Sequence, residues 1–314
     1  MISYMLTGQR FPTKEHKKLR CFAHQALRFQ KSVDVTGDAV ALTPWLRFLA
    51  PKLTGFVDLM ESTAFMLKYM EDAVKEHKNT YSEDDMRDFI DRYIQEKRNN
   101  PDSSFTDEQL NVVGVDYLFP ASTTVTATLT FATAFLLNYP YVQVKMQEEL
   151  DAVIGRDRLP TLDDRINLPY CEAVLRETMR KETLVPLSVV HRATEDTKLG
   201  DYDIPKDTAV ITNLWSFHND KEFWGDPEVF RPERFLDEDG NLLKKDFSLP
   251  FGVGKRVCAG ETFARQYMFL LFTSIMQSFN IKCAPGTLPP IPKADSPGII
   301  ATKRGFWTRF EPRT

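Results

Sequence analysis

The sequence predicts a mainly α-helical protein that carries small β-sheets. Up to Lys181, most segments place apolar side chains three or four residues apart, which is the spacing of amphipathic helices. The stretch from Tyr117 to Val144 is uncharged, which is typical of a buried helix. The alternation typical of strands appears only later, in Lys198–Asn213. Helices are therefore expected to form the body of the protein, with a small sheet attached to it.

Polar loops and capping residues set the expected helix boundaries. Thr106 is a good N-cap, and Gln109 occupies the capping-box position three residues later. A central helix is expected to follow and to lie inside the protein rather than across a membrane, because Pro120, Pro140 and several Ser and Thr residues interrupt the uncharged stretch. The other helices are predicted at Lys14–Phe29, Val57–His77, Asp84–Lys97, Tyr141–Ile154 and Pro169–Lys181.

The carboxyl-terminal half follows a different pattern. Lys198–Asn213 alternates around Pro205-Lys206-Asp207, which predicts a β-hairpin with its turn at that tripeptide. Phe223–Phe251 is rich in Pro, Gly, Asp and aromatic residues without any period, which predicts a long ordered loop. The tail from Ala284 to Pro312 contains short extended runs.

Composition excludes several function classes. With 314 residues, 42% of them hydrophobic, and a net charge of −4, the chain is expected to fold around a sizeable core and to bind no nucleic acid. Its four cysteines are widely spaced, without a CxxC pair or a histidine at zinc spacing. Free thiols in a reducing compartment are thus favoured over two disulfides. The charged amino-terminal segment predicts neither a signal peptide nor an anchor in this chain.

The most informative segment is the loop Phe251–Gly260. Gly252 and Gly254 allow a positive φ and the close approach of a flat ligand. Cys258 lies just before a predicted buried helix, whose positive end, together with nearby cations, favours a thiolate. A buried, inert cysteine is the alternative, but it does not explain the glycines.

Five positions of this loop resemble the heme-thiolate loop of the cytochrome P-450 family: Phe251, Gly254, Arg256, Cys258 and Gly260. The resemblance implies that Cys258 is the axial ligand of heme b (iron protoporphyrin IX), with Phe251 packed near its sulfur and Arg256 on a heme propionate. His191 matches a second basic position for the propionates. Without the family, a histidine after a strand-like segment is more often a packed structural residue.

A second part of the family pattern joins two distant segments. Glu177 and Arg180 lie three residues apart on one helix face, where they can pair, and Arg234 follows in the long loop. Alone, such a pair is usually a weak surface bridge. The resemblance implies that these three residues form a buried network that supports the heme loop from behind.

The central helix resembles the family's oxygen-activating helix, with departures. Thr124 matches the threonine linked to proton delivery, and Ser122 is a second candidate for handling protons. Thr123 replaces the usual acid, Ala121 replaces the usual glycine, and Pro120 is expected to reinforce a kink. The equally weighted alternative is that these hydroxyls bond back to carbonyls one turn earlier in a buried helix.

Apolar residues after the Glu/Arg helix and in the tail line the substrate side by family analogy, and their character suggests a lipophilic substrate; alternatively, they are simply core residues. They are Leu184, Val185, Leu187, Val189, Val190, Ile299 and Ile300.

The resemblance covers nearly the whole chain and points to the animal microsomal branch that includes drug and steroid hydroxylases. Phrases such as Asp88-Phe-Ile-Asp91 and Asp203-Ile-Pro-Lys206 match that branch. Residues 1–314 are then expected to form a single cytochrome P-450 catalytic domain with an incomplete fold, truncated at the amino terminus, because the family's first third has no counterpart here.

The resemblance implies a heme-thiolate monooxygenase that inserts one oxygen atom of O₂ into a lipophilic substrate. Electrons come from NADPH through a flavoprotein reductase, with cytochrome b5 as a further donor, and full-length relatives lie at the cytoplasmic face of the endoplasmic reticulum membrane. Two alternatives stay open. One is a truncated isoform or fragment that binds heme poorly and is inactive, and the other is an enzyme that rearranges oxygenated lipids without external electrons.

Overall fold

The computed structural model describes residues 2–10, 16–32, 40, 43–101, 104–295 and 299–313, with the side chains of His16 and Ser122 left out. Within these residues the protein is mainly helical and carries two-stranded antiparallel sheets, as predicted. The longer helices are α1 (Ile2–Thr7), α2 (His16–Ser32), α4 (Phe56–Thr80), α5 (Phe89–Asn99), α6 (Asp107–Asn138), α7 (Pro140–Val153), α8 (Pro169–Lys181) and α11 (Glu261–Ser278). The shorter ones are α3 (Leu46–Leu49), α9 (Leu214–His218) and α10 (Lys221–Trp224).

The described residues form two compact units, one up to Thr124 and the other from Val125 onward. The core of the first unit takes one side chain per turn from α4, because Met66, Met70 and Val74 are four residues apart and buried. Ile90 of α5 and Leu110 of α6 are fully buried in the same cluster. An amphipathic spacing thus produces the first core.

The second unit has a separate core built from the remainder of α6 with α7, α8 and α11. Met146, Val174 and Phe272 are buried there. Phe135 stacks on Phe230 of the long loop, with ring centres 4.3 Å apart. This core holds α8 and α11, the two helices that carry the candidate site.

The sheets correct one prediction. The hairpin turns at Gly200-Asp201 rather than at Pro205-Lys206-Asp207, because Gly200 adopts a positive φ of 60° and closes a tight turn between β2 (Thr197–Leu199) and β3 (Tyr202–Ile204). The Pro-Lys-Asp segment instead connects two sheets. In the other sheet, β1 (His191–Arg192) pairs with β4 (Ala209–Val210).

The tail contributes a strand, as its extended runs indicate. β5 (Phe279–Cys283) pairs with β6 (Thr308–Pro312), with Ile281 opposite Phe310. The strand β5 begins directly where α11 ends. The tail is therefore tied to the end of the helix that follows the cysteine loop.

Helix starts follow local capping. Thr106 caps α6 as predicted, since its hydroxyl accepts a hydrogen bond from the Gln109 N–H at 3.1 Å. The predicted start of α5 at Asp84 is wrong. The helix begins at Phe89 because the Asp88 carboxylate accepts from the N–H groups of Ile90 and Asp91.

The central helix α6 is long and apolar enough to cross a membrane by length and composition. More than half of its apolar window is buried inside the structure, and the core helix of a soluble protein passes the same test. The predicted stretch of Tyr117–Val144 is divided at Tyr139, where Pro140 starts α7.

The carboxylate of Asp88, which caps α5, also contacts a buried histidine, so its contribution to stability can be tested. The Asp88 Oδ2 atom lies 2.7 Å from Nε2 of His77, and both side chains are almost fully buried. Asp88→Ala should lower the free energy of unfolding by about 3 kcal/mol, because it removes a cap and leaves a buried ring nitrogen without a partner. Denaturant unfolding measures this loss. Asp88→Asn, which keeps a capping oxygen, should lose less; equal stability of both variants and the wild type would refute this account.

Candidate functional site

The loop Phe251–Gly260 has the backbone that its glycines suggest. Gly252 and Gly254 adopt positive φ angles of 76° and 78°, and a Cβ added to either glycine would meet no atom within 4 Å. A short 3-10 turn, Gly254–Arg256, follows. The loop is closed by the N–H of Cys258, which donates to the carbonyl of Phe251 at 2.9 Å. The backbone therefore leaves open space over its glycines.

Cys258 is an exposed free thiol three residues before α11. Cys171, in contrast, is fully buried in α8, and burial raises the pKa of its thiol well above the ordinary value. The loop also exposes Val253 and Val257. An accessible soft sulfur ligand, open glycine faces and apolar side chains fit an iron porphyrin, so the residues present suit heme b.

The two candidate propionate contacts, Arg256 and His191, are both exposed. Arg256 ends the 3-10 turn of the loop, and His191 lies in β1 opposite Val210. Among the described residues, no hydrogen bond joins the His191 side chain to the loop. His191 is therefore not a packed core residue, and both basic groups are accessible to a ligand.

Glu177, Arg180 and Arg234 are brought together in the second unit. Arg180 donates to both carboxylate oxygens of Glu177, at 2.7 and 2.8 Å, and Arg234 donates to one of them at 3.1 Å. The side chains of Glu177 and Arg180 are completely buried, and that of Arg234 is 5% exposed. The backbone N–H of Arg231 adds a fourth donor to the carboxylate at 2.9 Å. The pair is thus not a solvated surface bridge.

His218 at the end of α9 is a member of this site that the sequence analysis missed. Arg180 donates to its carbonyl at 2.7 Å, and its ring is fully buried. The ring Nδ1 lies 2.6 Å from the Thr183 hydroxyl, and Nε2 contacts the Ser248 carbonyl. Because a carbonyl only accepts, the tautomer is assigned with hydrogen on Nε2. Burial, together with the smaller effect of the Arg180 charge, lowers the pKa of His218 to about 4.

The segment before the cysteine loop is held by a second ionic group. Asp246 accepts hydrogen bonds from the N–H and the hydroxyl of Ser248, and from Arg265 of α11 at 2.9 Å. Burial raises the pKa of Asp246, but the Ser248 and Arg265 interactions outweigh it and leave the pKa below the ordinary value. The Arg265 guanidinium lies 4.8 Å from the ring centre of Phe251. These contacts join α11 to the start of the loop.

The hydroxyls of the central helix bond back along the helix. Thr124 donates to the carbonyl of Pro120 at 2.8 Å. The Thr123 hydroxyl accepts from the amide of Gln30 in α2, and its oxygen lies 3.4 Å from the Phe119 carbonyl. The arrangement given above as the alternative to a relay is therefore present. The Ser122 side chain lies outside the described part of the chain.

The candidate substrate-side residues divide by burial. Leu184 packs against the second core, and Ile300 is buried. A backbone hydrogen bond of 2.7 Å, from Ala301 N–H to the Leu184 carbonyl, joins the tail to this segment. Val189 is exposed, whereas the remaining members are half-buried: Val185, Leu187, Val190 and Ile299. The backbone next to Ile300 thus lies beside Leu184, and Ile300 also serves as a core residue.

Comparison with known proteins shows what this chain resembles. A family model described as Cytochrome P450 matches residues 1–308. "Farnesoate epoxidase" of Bombyx mori is 36% identical over 98% of this chain and 62% of the relative. "Cytochrome P450 2U1" of Homo sapiens is 37% identical over 93% of this chain and 54% of the relative, and "Cytochrome P450 2C20" of Macaca fascicularis is 43% identical over 81% and 52%. The chain therefore spans about half to three fifths of the length of these relatives.

The buried carboxylate can be tested by an isosteric change. Glu177→Gln should lower the free energy of unfolding by about 3 to 5 kcal/mol, because it leaves the completely buried Arg180 guanidinium without its anion. Denaturant unfolding followed by circular dichroism measures this effect. The matched control is Asp226→Asn, which removes a carboxylate that pairs with the same Arg234 but is 39% exposed. The control should cost about 1 kcal/mol or less, and similar losses in the two variants would contradict the assigned role of burial.

The neutral His218 should make stability depend on pH. Its folded-state pKa of about 4 lies below the ordinary 6.5, so between these values the unfolded chain binds a proton that the folded chain does not. Stability is therefore lost as the pH falls from 6.5 towards 4, by about 3 kcal/mol in full. Urea unfolding at neutral and mildly acidic pH should show a smaller acid loss for His218→Gln than for the wild type. Arg180 and Asp246 face position 218 in both proteins, so a difference in acid loss reports the imidazole itself. Equal losses of stability in acid would contradict this prediction.

Proposed function

This chain belongs to the cytochrome P450 family, and from that premise we propose that it is a heme-thiolate monooxygenase, which inserts one oxygen atom of O₂ into a lipophilic organic substrate. The observation that carries this proposal is the presentation of Cys258. The thiol is free and exposed, the backbone N–H of the residue closes a loop with two left-handed glycines, and the residue lies three positions before α11. Such an accessible sulfur ligand suits heme iron.

In this proposal the heme b supplies the activation of O₂ with electrons that originate from NADPH. The chain's own residues bind and orient. Cys258 would provide the thiolate ligand, and Phe251, whose ring lies against the Arg265 guanidinium, would pack near the sulfur. Gly254 and Gly260 would leave room for the porphyrin, and the basic groups of Arg256 and His191 would donate to its propionates.

Proton handling is assigned to the central helix. The Thr124 hydroxyl, with Ser122 as a second candidate, transfers protons at its oxygen while its own hydrogen bond to the Pro120 carbonyl keeps it oriented. Thr123 has no carboxyl group that could assist Thr124, and its hydroxyl accepts a hydrogen bond from the Gln30 amide. We therefore assign proton supply to hydroxyls and water rather than to a carboxylate beside Thr124.

The substrate side is assigned to apolar segments. Leu184, Val185, Leu187, Val189 and Val190, with Ile299 and Ile300 of the tail, offer hydrocarbon surface and no charge, which favours a lipophilic substrate. The first relative described above is named as an epoxidase of farnesoate, which is consistent with an apolar substrate that receives one oxygen atom.

By the same resemblance, the redox partner is an NADPH-dependent flavoprotein reductase, with cytochrome b5 as a second donor. The assigned location is the cytoplasmic face of the endoplasmic reticulum membrane, and residues 1–314 act as a single catalytic domain. A chain that binds heme poorly, and an enzyme that rearranges oxygenated lipids without electrons, are the alternatives that the experiment below separates from a monooxygenase.

The proposal predicts a thiolate-ligated heme. The purified, heme-supplemented protein, once reduced and exposed to carbon monoxide, should show a strongly red-shifted Soret band. Cys258→Ala should abolish the band because it removes the sulfur ligand. Cys21→Ala, which removes another exposed free thiol, is the matched control and should retain the band.

The outcomes separate the alternatives. A red-shifted band with substrate turnover that requires NADPH and the reductase supports the monooxygenase. The same band with turnover of lipid peroxides in the absence of NADPH supports rearrangement. A wild type without any heme band, or a Cys258→Ala variant that keeps the band, overturns the proposed ligation.

A further inference from the structure

The segment that leads into the cysteine loop contains a strained residue. Leu249 has a φ of 46°, in the left-handed region that costs free energy for any residue with a side chain. Its carbonyl accepts from the Gly252 N–H at 3.0 Å, so the strained residue starts the turn that leads to Gly252. Such a conformation persists only when the surrounding contacts hold it.

The peptide before Leu249 is held from one side by His218. The Nε2–H of His218 donates to the Ser248 carbonyl, which belongs to the peptide unit that joins Ser248 to Leu249. Ser248 itself is fully buried, so this carbonyl has no access to bulk water. On its other side, the backbone N–H and hydroxyl of Ser248 are fixed by Asp246. The strained turn thus follows directly from an anchored residue.

The imidazole is in turn held by the buried ionic network. Arg180 donates to the His218 carbonyl, and the Thr183 hydroxyl satisfies Nδ1. Arg180 lies on α8 and pairs with Glu177, and Thr183 lies two residues after the end of this helix. The contacts therefore run from the Glu177 carboxylate through Arg180 and His218 to Ser248, three residues before Phe251, whose carbonyl accepts from the Cys258 N–H.

We propose that His218 is the positioning residue of the cysteine loop: its Nε2–H fixes the Ser248 carbonyl, which holds Leu249 in its left-handed conformation and so places the sulfur of Cys258 for heme iron. The role in ligation rests on the function proposed above, whereas the role in holding the loop does not. His218 touches no reacting atom, and a neutral imidazole that donates at one nitrogen and accepts at the other satisfies both buried partners at once. An apolar side chain of similar size would satisfy neither of these two partners, and a charged one would satisfy only one of them.

The test uses two amide variants that imitate different ring nitrogens. His218→Gln places an N–H donor near the Nε2 position and should keep the Ser248 contact. His218→Asn reaches only to the Nδ1 position, so it can meet Thr183 but not Ser248. Each variant is measured in two ways: by the fraction of the reduced carbon monoxide complex with the red-shifted Soret band, and by hydrogen exchange of the Cys258 amide before heme is added.

We expect His218→Gln to resemble the wild type in both measurements. His218→Asn should lose most of the red-shifted fraction, and its Cys258 amide should exchange about tenfold faster, as expected for loss of one buried hydrogen bond. A His218→Asn protein with the wild-type band and exchange rate would overturn the proposal. Equal damage in both variants would also overturn it, because the role would then be general packing.

A rescue experiment distinguishes positioning from stability alone. Leu249→Gly removes the left-handed strain, so the His218→Asn/Leu249→Gly double variant should regain slow exchange and the red-shifted band even if His218→Asn alone folds poorly. No rescue would count against the proposal.

The two proposals can fail separately. If the wild type binds no heme but the amide exchange rates of the variants follow the expected order, the proposed function fails and the positioning role stands. If heme binds normally in every variant, the positioning role fails instead.

Discussion

The buried carboxylate of Glu177 is the interaction on which the second unit depends. An isolated charge in this position would be very costly, but four hydrogen bonds from Arg180, Arg234 and the Arg231 backbone satisfy both of its oxygens. Two guanidinium groups exceed one carboxylate by one positive charge. Asp226 adds a second carboxylate at the edge of the network, where hydrogen bonds from Arg231 and Arg234 lower its pKa to about 2.

The same network explains how a long segment without regular structure is ordered. Backbone carbonyls at the ends of α9 and α10 and in the loop that follows have no helix or sheet partner, and buried carbonyls need partners. Arg180 donates to the carbonyls of His218 and Pro227, while Arg234 donates to those of Trp224 and Asp226. Each guanidinium thus replaces several backbone bonds, which a lysine with its single nitrogen could not do in this geometry.

The central helix shows why a family pattern and a local environment must be considered together. The sequence predicted its start at Thr106 and its buried character, since both depend on nearby residues. It also identified Thr123 as a residue without the usual acid, but it could not identify Gln30 as the partner of that hydroxyl. The two residues are far apart in the chain, and no periodicity links them.

Local chemistry determined most of what the sequence revealed: the helical class, the capped starts, the glycine-rich loop with Cys258, and the Glu177/Arg180 pair one turn apart. Interactions between distant segments decided the rest. The pairing of β1 with β4 takes the Pro-Lys-Asp segment out of the hairpin turn, the buried His77 anchors the Asp88 cap just before α5 begins at Phe89, and His218 joined the site because α8 and the long loop enclose it. The sequence alone determines which groups are available along the chain, whereas only tertiary packing decides which buried donors meet which acceptors, because burial removes the water that would otherwise satisfy them.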